Sequence, residues 1–447
     1  MTDYLKACEY VGSIPKFAAK TELNNTRFFL SVLGNPTGKY KNVHIAGTNG
    51  KGSVSKMIAL MLEEAGYRVG LFTSPHLVKV NERMTVNGED ISDEDFALYF
   101  EKVRKTVEDT VKDEAADSDG KAETAADKEN SLQAVHPAYF EFLFLMAAKY
   151  FEDQKCDYVV WETGLGGRLD ATNTTQPEVS VITSIGLDHM MYLGDTIEQI
   201  AGEKAGIIKE GVPVIFNTGE EIADSVVEKT AKEKNSKTVN AATAILSEDE
   251  EKLIEEFAEK QTALYQKDNA KTAVLAFKEL FPETESSERN RCMKAGLEAF
   301  FWPGRMEKVA PGFVIDGAHN ENAVIRFAQS ANALMKKGGY EKISLIFAVC
   351  EDKDYESIIR TLCQNLRLEK VYVAELDMAR KTPADTVVEL FRKYRPAEET
   401  RNNYGFTNLA SAVKAAEERD EKTLLMAVGS LFLVGEIKAL GVENTWP

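Results

Sequence analysis

The chain has 447 residues, 44% hydrophobic and 28% charged, so it is too long for one ordinary core and two or more soluble globular domains are expected. Its 54 basic against 72 acidic residues leave a formal charge of −18, which argues against nucleic acid or an anionic membrane surface as the main partner. Apolar runs stay short of the roughly 18 residues of a membrane span, the first residues lack a secretory pattern, and five scattered cysteines have no metal-ligand spacing, so reduced thiols in a cytoplasmic protein are expected.

From the start of the chain, short β-rich runs alternate with helical periodicity. The run at 43–46 passes directly into GTNGKGS at 47–53 and then into the apolar helical stretch 54–60. Strand, glycine loop and helix in that order make a phosphate cradle. Glycines let backbone N–H groups close on an anion, and the helix N-terminus adds partial positive charge. Lys51 is placed to reach terminal phosphates, and Ser53 to reach Mg²⁺. Gly52 separates these two residues, so the loop departs from the common G-x-x-x-x-G-K-[ST] pattern. The glycines alone would also suit a tight turn; Lys51, Ser53 and the frame favour phosphate.

Further strands are expected at 68–72, 158–161, 179–185 and 212–216, giving a mainly parallel sheet covered by helices. Residues 107–130 interrupt the pattern with nine acids and three bases. With almost no large apolar residue, this segment reads as a solvated insertion between helices.

Four of these strands end in polar or glycine-rich residues. GTNGKGS follows the first, Thr73-Ser74-Pro75-His76 the second, Glu162-Thr163-Gly164 the third and Gly186-Leu187-Asp188-His189 the fourth. In a parallel sheet those ends share one edge, where α/β proteins bind ligands. Glu162 reads as a metal-binding acid or as a cap or surface ion pair. Ser74 reads as a metal ligand or a turn residue, and His189 as a ligand or a structural imidazole. In the helical stretch 196–209, Lys204 shares an apolar face with Ile197, Ile200, Ala201 and Ile208. Such a lysine must snorkel, pair or lose its charge.

Pro303 and Gly304 break both periods, and the chain is expected to divide at 302–304. Strands at 313–315, 344–349, 370–374 and 423–428 then alternate with amphipathic helices, so a second α/β domain is expected there. Arg305 either crosses to a phosphate or pairs between domains. Asp316 and His319, in Asp316-Gly317-Ala318-His319-Asn320, suit a ribose hydroxyl and a phosphate oxygen or proton carrier, or simply form a capped turn.

These motifs together resemble the folylpolyglutamate synthase and dihydrofolate synthase family within the ATP-dependent muramyl-peptide-ligase superfamily. The resemblance rests on HIAGTNGKGSV, FTSPHL, NERMTVNG, ETGLGGRLDATN, IGLDHMMYLGDTIEQIAGEKAGIIK, PGRME, DGAHN and GSLFLVGE. It implies an N-terminal phosphate-loop ATPase domain over 1–302 and a smaller Rossmann-like α/β domain over 303–447. It implies ATP held by Gly47, Thr48, Asn49, Gly50, Lys51, Gly52, Ser53, Asn269, Arg305 and Asp316. It also implies magnesium, as two ions, at Ser53, Ser74, Glu162, His189 and a CO₂-derived carbamate on Lys204. Lys51, Lys204 and His319 would be catalytic, and Glu82, Arg83, Tyr139, Phe140 and Phe142 would face the folate. The implied activity is ATP-dependent addition of L-glutamate to reduced folates, with dihydropteroate as a further acceptor, by a monomer. An amide ligase with another carboxylate acceptor and a phosphate-loop kinase are the alternatives.

Overall fold

The computed structural model describes residues 2–15, 23–118, 134–396, 399 and 402–442. Two sheets organise them. The first has eight strands: β1 (Lys41–Ala46), β2 (Val69–Phe72), β3 (Met84–Val86), β4 (Glu89–Asp90), β5 (Tyr158–Glu162), β6 (Pro177–Ile182), β7 (Val214–Phe216) and β8 (Thr238–Asn240). Their spatial order is β4-β3-β2-β5-β1-β6-β7-β8. The six strands from β2 to β8 in that order are parallel, and β3 and β4 form an antiparallel margin.

Burial explains the apolar runs. On β5, Tyr158 and Val160 enter one core while Val159 and Trp161 enter the core on the other face. A strand covered on both sides reads as nearly continuous hydrophobicity. Helix Lys51–Glu64 packs on helix Ser286–Glu298, where a side chain on Gly296 would lie 2.7 Å from the Met61 backbone nitrogen.

The second sheet contains β9 (Glu307–Ala310), β10 (Phe313–Ile315), β11 (Lys342–Phe347), β12 (Leu368–Ala374), β13 (Asn403–Phe406) and β14 (Thr423–Val428). Its order is β13-β12-β11-β14-β10-β9, parallel except for β9 at the edge. Apolar clusters cover both faces. The chain passes from one sheet to the other between Glu298 and Glu307, through Trp302-Pro303-Gly304.

Two expectations change. The strand expected at 179–185 leaves the sheet after Ile182, and its last residues brace the phosphate loop instead. The acidic insertion does not begin at 107: helix Asp93–Ser118 continues through its first half. Phe96, Tyr99, Phe100, Val103 and Val107 are buried on one face, and Val111 continues the stripe. Residues 119–130 of that segment lie outside the described residues. Among the described residues, no helix is long and apolar enough to cross a membrane.

Candidate active site

The loop after β1 is shaped by close approaches. At Gly47 a Cβ would fall 1.8 Å from Thr183 Oγ1, and at Gly50, with φ 91°, 2.7 Å from Asn269 Oδ1. Gly50 is also the N-cap of helix Lys51–Glu64 and supplies no capping side chain. The first-turn N–H groups are therefore presented to the cavity as an anion site. The Thr48 N–H donates to Ser184 O at 2.7 Å, and Ser184 Oγ donates to Asn49 O at 3.1 Å, so the segment beyond β6 fixes the loop from behind. Lys51 Nζ donates to Gly47 O at 3.1 Å. Buried Ser53 accepts from Gln266 Nε2 at 3.1 Å, and its own proton and second lone pair remain.

Glu162, the last residue of β5, is buried and accepts from the Ser74 N–H at 3.0 Å. Burial pushes its carboxyl up, while Lys51, that N–H, Arg305 and Arg83 pull it down. The following loop is held by Asp170, whose Oδ2 accepts from the Gly164 and Leu165 N–H groups. Thr172 Oγ1 donates to Asp170 Oδ1 and meets Nε2 of buried His44 at 2.8 Å.

Lys204 does not snorkel. Helix Ile197–Ala205 points it inward, 3% exposed, and its Nζ donates to Gly47 O at 2.8 Å. Burial draws its pKa down to about 7, helped by the nearby charge of Lys51. His189 occupies a left-handed backbone position at φ 51°. Burial pulls its imidazole down and Asp188 pulls it up.

The second sheet contributes the opposite wall. Asp316, just past β10, is buried and fully engaged: Oδ2 accepts from Tyr265 OH and the Met306 N–H, and Oδ1 from the Ala318 N–H, each at 2.8 Å. Its carboxylate thus ties the second domain to Tyr265 of the first. Arg305 Nη1 donates to Gly304 O at 3.0 Å. His319 Nδ1 meets Gly317 O at 2.7 Å, which assigns the ring proton to Nδ1 and leaves Nε2 with its lone pair. Burial, with Lys353 adding to it, draws His319 down to about 4.

Gly47, Thr48, Asn49, Gly50, Lys51, Gly52, Ser53, Asn269, Arg305, Asp316, His319, Ser74, Glu162, His189 and Lys204 all line one cavity of about 220 Å³ between the sheets. The five residues expected on the folate side are absent from that lining. Phe142 is corrected to a core residue: it is fully buried and stacks on His136. Glu82 is also committed elsewhere, since its carboxylate accepts from the Leu77, Val78 and Lys79 N–H groups. Arg83 lies over the Tyr139 ring at 5.6 Å, and Phe140 packs against Phe72.

Sequence reading missed Lys353, Gln266 and Tyr265, which carry no local signal. It noted Asp188 beside His189 without giving it a role, and gave none to Asn320, which adjoins His319. Among the described residues, no three His, Cys, Asp or Glu side chains cluster closely enough to hold a metal by themselves. One carboxylate, two hydroxyls and an imidazole around a phosphate loop instead fit a hard cation that takes its remaining ligands from phosphate and water.

Residues 129–280 match the Mur ligase middle domain, and residues 305–441 match the C-terminal domain of dihydrofolate synthetase. The dihydrofolate synthase/folylpolyglutamate synthase of Bacillus subtilis is 33% identical, over 98% of this chain and 99% of its own. The folylpolyglutamate synthase of Lacticaseibacillus casei is 31% identical over 80% of this chain and 82% of its own. Among solved structures, folylpolyglutamate synthase from Thermotoga maritima superposes with a TM-score of 0.74 at 27% identity, covering 99% of this chain and 98% of that one. The Mycobacterium tuberculosis folylpolyglutamate synthase complexed with ADP shares the fold, with a TM-score of 0.82 at 24% identity over 98% of both chains. With one-third identity to the Bacillus subtilis protein over almost the full length of both chains, this chain belongs to the folylpolyglutamate synthase and dihydrofolate synthase family.

Proposed function

We propose that the protein is an ATP-dependent ligase that joins L-glutamate to a reduced folate through an acyl phosphate, with dihydropteroate as a further acceptor. The observation that carries this reading is the convergence of the phosphate loop, Glu162, Lys204 and His319 on one cavity between the sheets. A carboxylate is a poor electrophile toward an amine. Transfer of the γ-phosphoryl group of ATP to a carboxylate oxygen of the folate makes an acyl phosphate. The glutamate amine then attacks the acyl carbon, inorganic phosphate leaves with that oxygen, and the amine loses a proton.

The chain's own groups do the positioning. The first-turn N–H groups and the Lys51 ammonium receive the phosphates and offset charge during transfer. Arg305 and Asn269 line the same cavity and would face the nucleotide. His319 is neutral, and its Nε2 lone pair is available to orient the glutamate amine. Ser53, Ser74, Glu162 and His189 would hold magnesium, which when bound supplies charge neutralisation at the phosphate oxygens. A buried amine with a pKa near 7 is in good part uncharged at neutral pH, the form that adds CO₂ and loses a proton to give a carbamate anion. We assign that modification to Lys204 as the holder of a second ion. Closure of the two domains over the cavity would keep water from the acyl phosphate.

Folate labelled with ¹⁸O in the reacting carboxylate tests the route. One ¹⁸O should appear in the released phosphate for each amide formed. Phosphate free of label, or ATP turnover that does not need glutamate, would contradict the proposal.

A further inference from the structure

Asp188 lies beyond β6 of the first domain, and its side chain is only 8% exposed. Three donors from both domains converge on it, and His319 lies close by. Oδ1 accepts from Lys353 Nζ at 2.7 Å and from the His189 N–H at 2.9 Å. Oδ2 accepts from Asn320 Nδ2 at 3.1 Å and has His319 Nε2 at 3.7 Å. Lys353 lies in the turn between β11 and helix Tyr355–Asn365, 165 positions further along the chain, with its side chain 14% exposed. Unlike Asp188 and His319, Lys353 does not line the cavity.

The contact continues into the phosphate loop. Asn320 caps helix Glu321–Gly338 through the Ala323 N–H. It also exchanges paired amide hydrogen bonds with Asn49, at 3.0 and 3.1 Å. Lys353, Asp188, Asn320 and Asn49 therefore form one chain of bonds from the second domain to the loop at 47–53. Shifting the domains would break several of them together and leave a buried charge unpaired.

We propose that Asp188 and Lys353 form an interdomain latch that seats His319 and the Asn320 cap against the phosphate loop, acting as positioning residues for ligation. This rests on the ligase reading for its catalytic consequence, while the latch itself is a statement about domain geometry. Lys353 acts through Asp188.

The test is a double-mutant cycle with Lys353→Met, Asp188→Asn and the pair, plus Lys353→Arg. Each is assayed for kcat and for the KM of ATP and glutamate. In parallel, an interdomain distance is measured between spin labels on cysteines introduced at the exposed residues Ile245 and Tyr404. Lys353→Met should lower kcat about tenfold or more, change the KM of ATP little and broaden the distance distribution. Lys353→Arg should recover most of both, and the double variant should lose no more than the worse single one. Losses that multiply in the double variant, or an unbroadened distance with unchanged kcat, would overturn the latch. If Lys353→Met does not fold, Lys353→Gln keeps a donor without the charge and carries the same expectations. The distance needs no turnover, so it decides the latch even if the ligase reading fails. A wild type that ligates beside variants that lose nothing would remove the latch alone.

Discussion

An amine removed from water loses its charge more readily than one at the surface, and Lys204 is such an amine. Its folded pKa, about 7, lies below the ~10.4 of a free lysine. Below pH 7 the unmodified folded protein therefore carries a buried cation at full cost. That cost fades as pH rises from about 7 toward the unfolded value. Replacing the side chain in Lys204→Met should shift Tm more favourably at pH 6 than at pH 9 when both proteins are compared without CO₂; an equal shift at both values would contradict the account. The same variant should lose ligation while binding ATP within a few-fold of wild type, as read by calorimetry, and near-normal turnover would remove the carbamate. The sequence placed Lys204 on an apolar face. It did not reveal which way the amine points, because Gly47 O, its acceptor, lies 157 positions away. Asp316 is similar: its place after a strand was readable, but its engagement with Tyr265 and two backbone N–H groups was not.

At the scale of elements, the reading succeeded where burial on both faces leaves a continuous apolar run, as in β1, β5, β10 and β14. It passed over β3, β4, β8, β9 and β13, which are short and lie at or near sheet margins, so their hydrophobic signal is weak. In helix Asp93–Ser118 the acidic composition masked a hydrophobic period that Val107 and Val111 continue. Helix Leu431–Ala439 of the second domain contains Gly435, where a Cβ would stand 2.1 Å from the Leu77 carbonyl oxygen of the first. Only a residue without a side chain lets helix and loop approach this closely. Gly435→Ala should push the loop beginning at Ser74 away from the helix, with about 1–3 kcal/mol lost in denaturant unfolding and a fall in kcat. Unchanged stability and turnover would show that the loop moves aside freely.

Across the whole molecule, the polar strand ends meet in one cavity although they come from two sheets. Each sheet announced its own binding edge through polar residues that come after apolar strands. How the edges face one another was not written in either pattern. It depends on contacts such as Asp188 with Lys353 and Asn49 with Asn320, between residues distant in sequence. The folate side was the least legible part, since aromatic residues near a site and aromatic residues in a core share the same composition, and Phe142 belongs to the core. A net charge of −18 leaves recognition of anionic substrates to groups inside the cavity, among them Lys51 and Arg305. The most direct test of the central claim is a paired assay with tetrahydrofolate and dihydropteroate as acceptors, with ATP and L-glutamate, following phosphate release and product mass. Release should require both glutamate and a pteridine, with product heavier by one glutamyl residue; release that ignores every pteridine, or proceeds without glutamate, would rule out folate ligation.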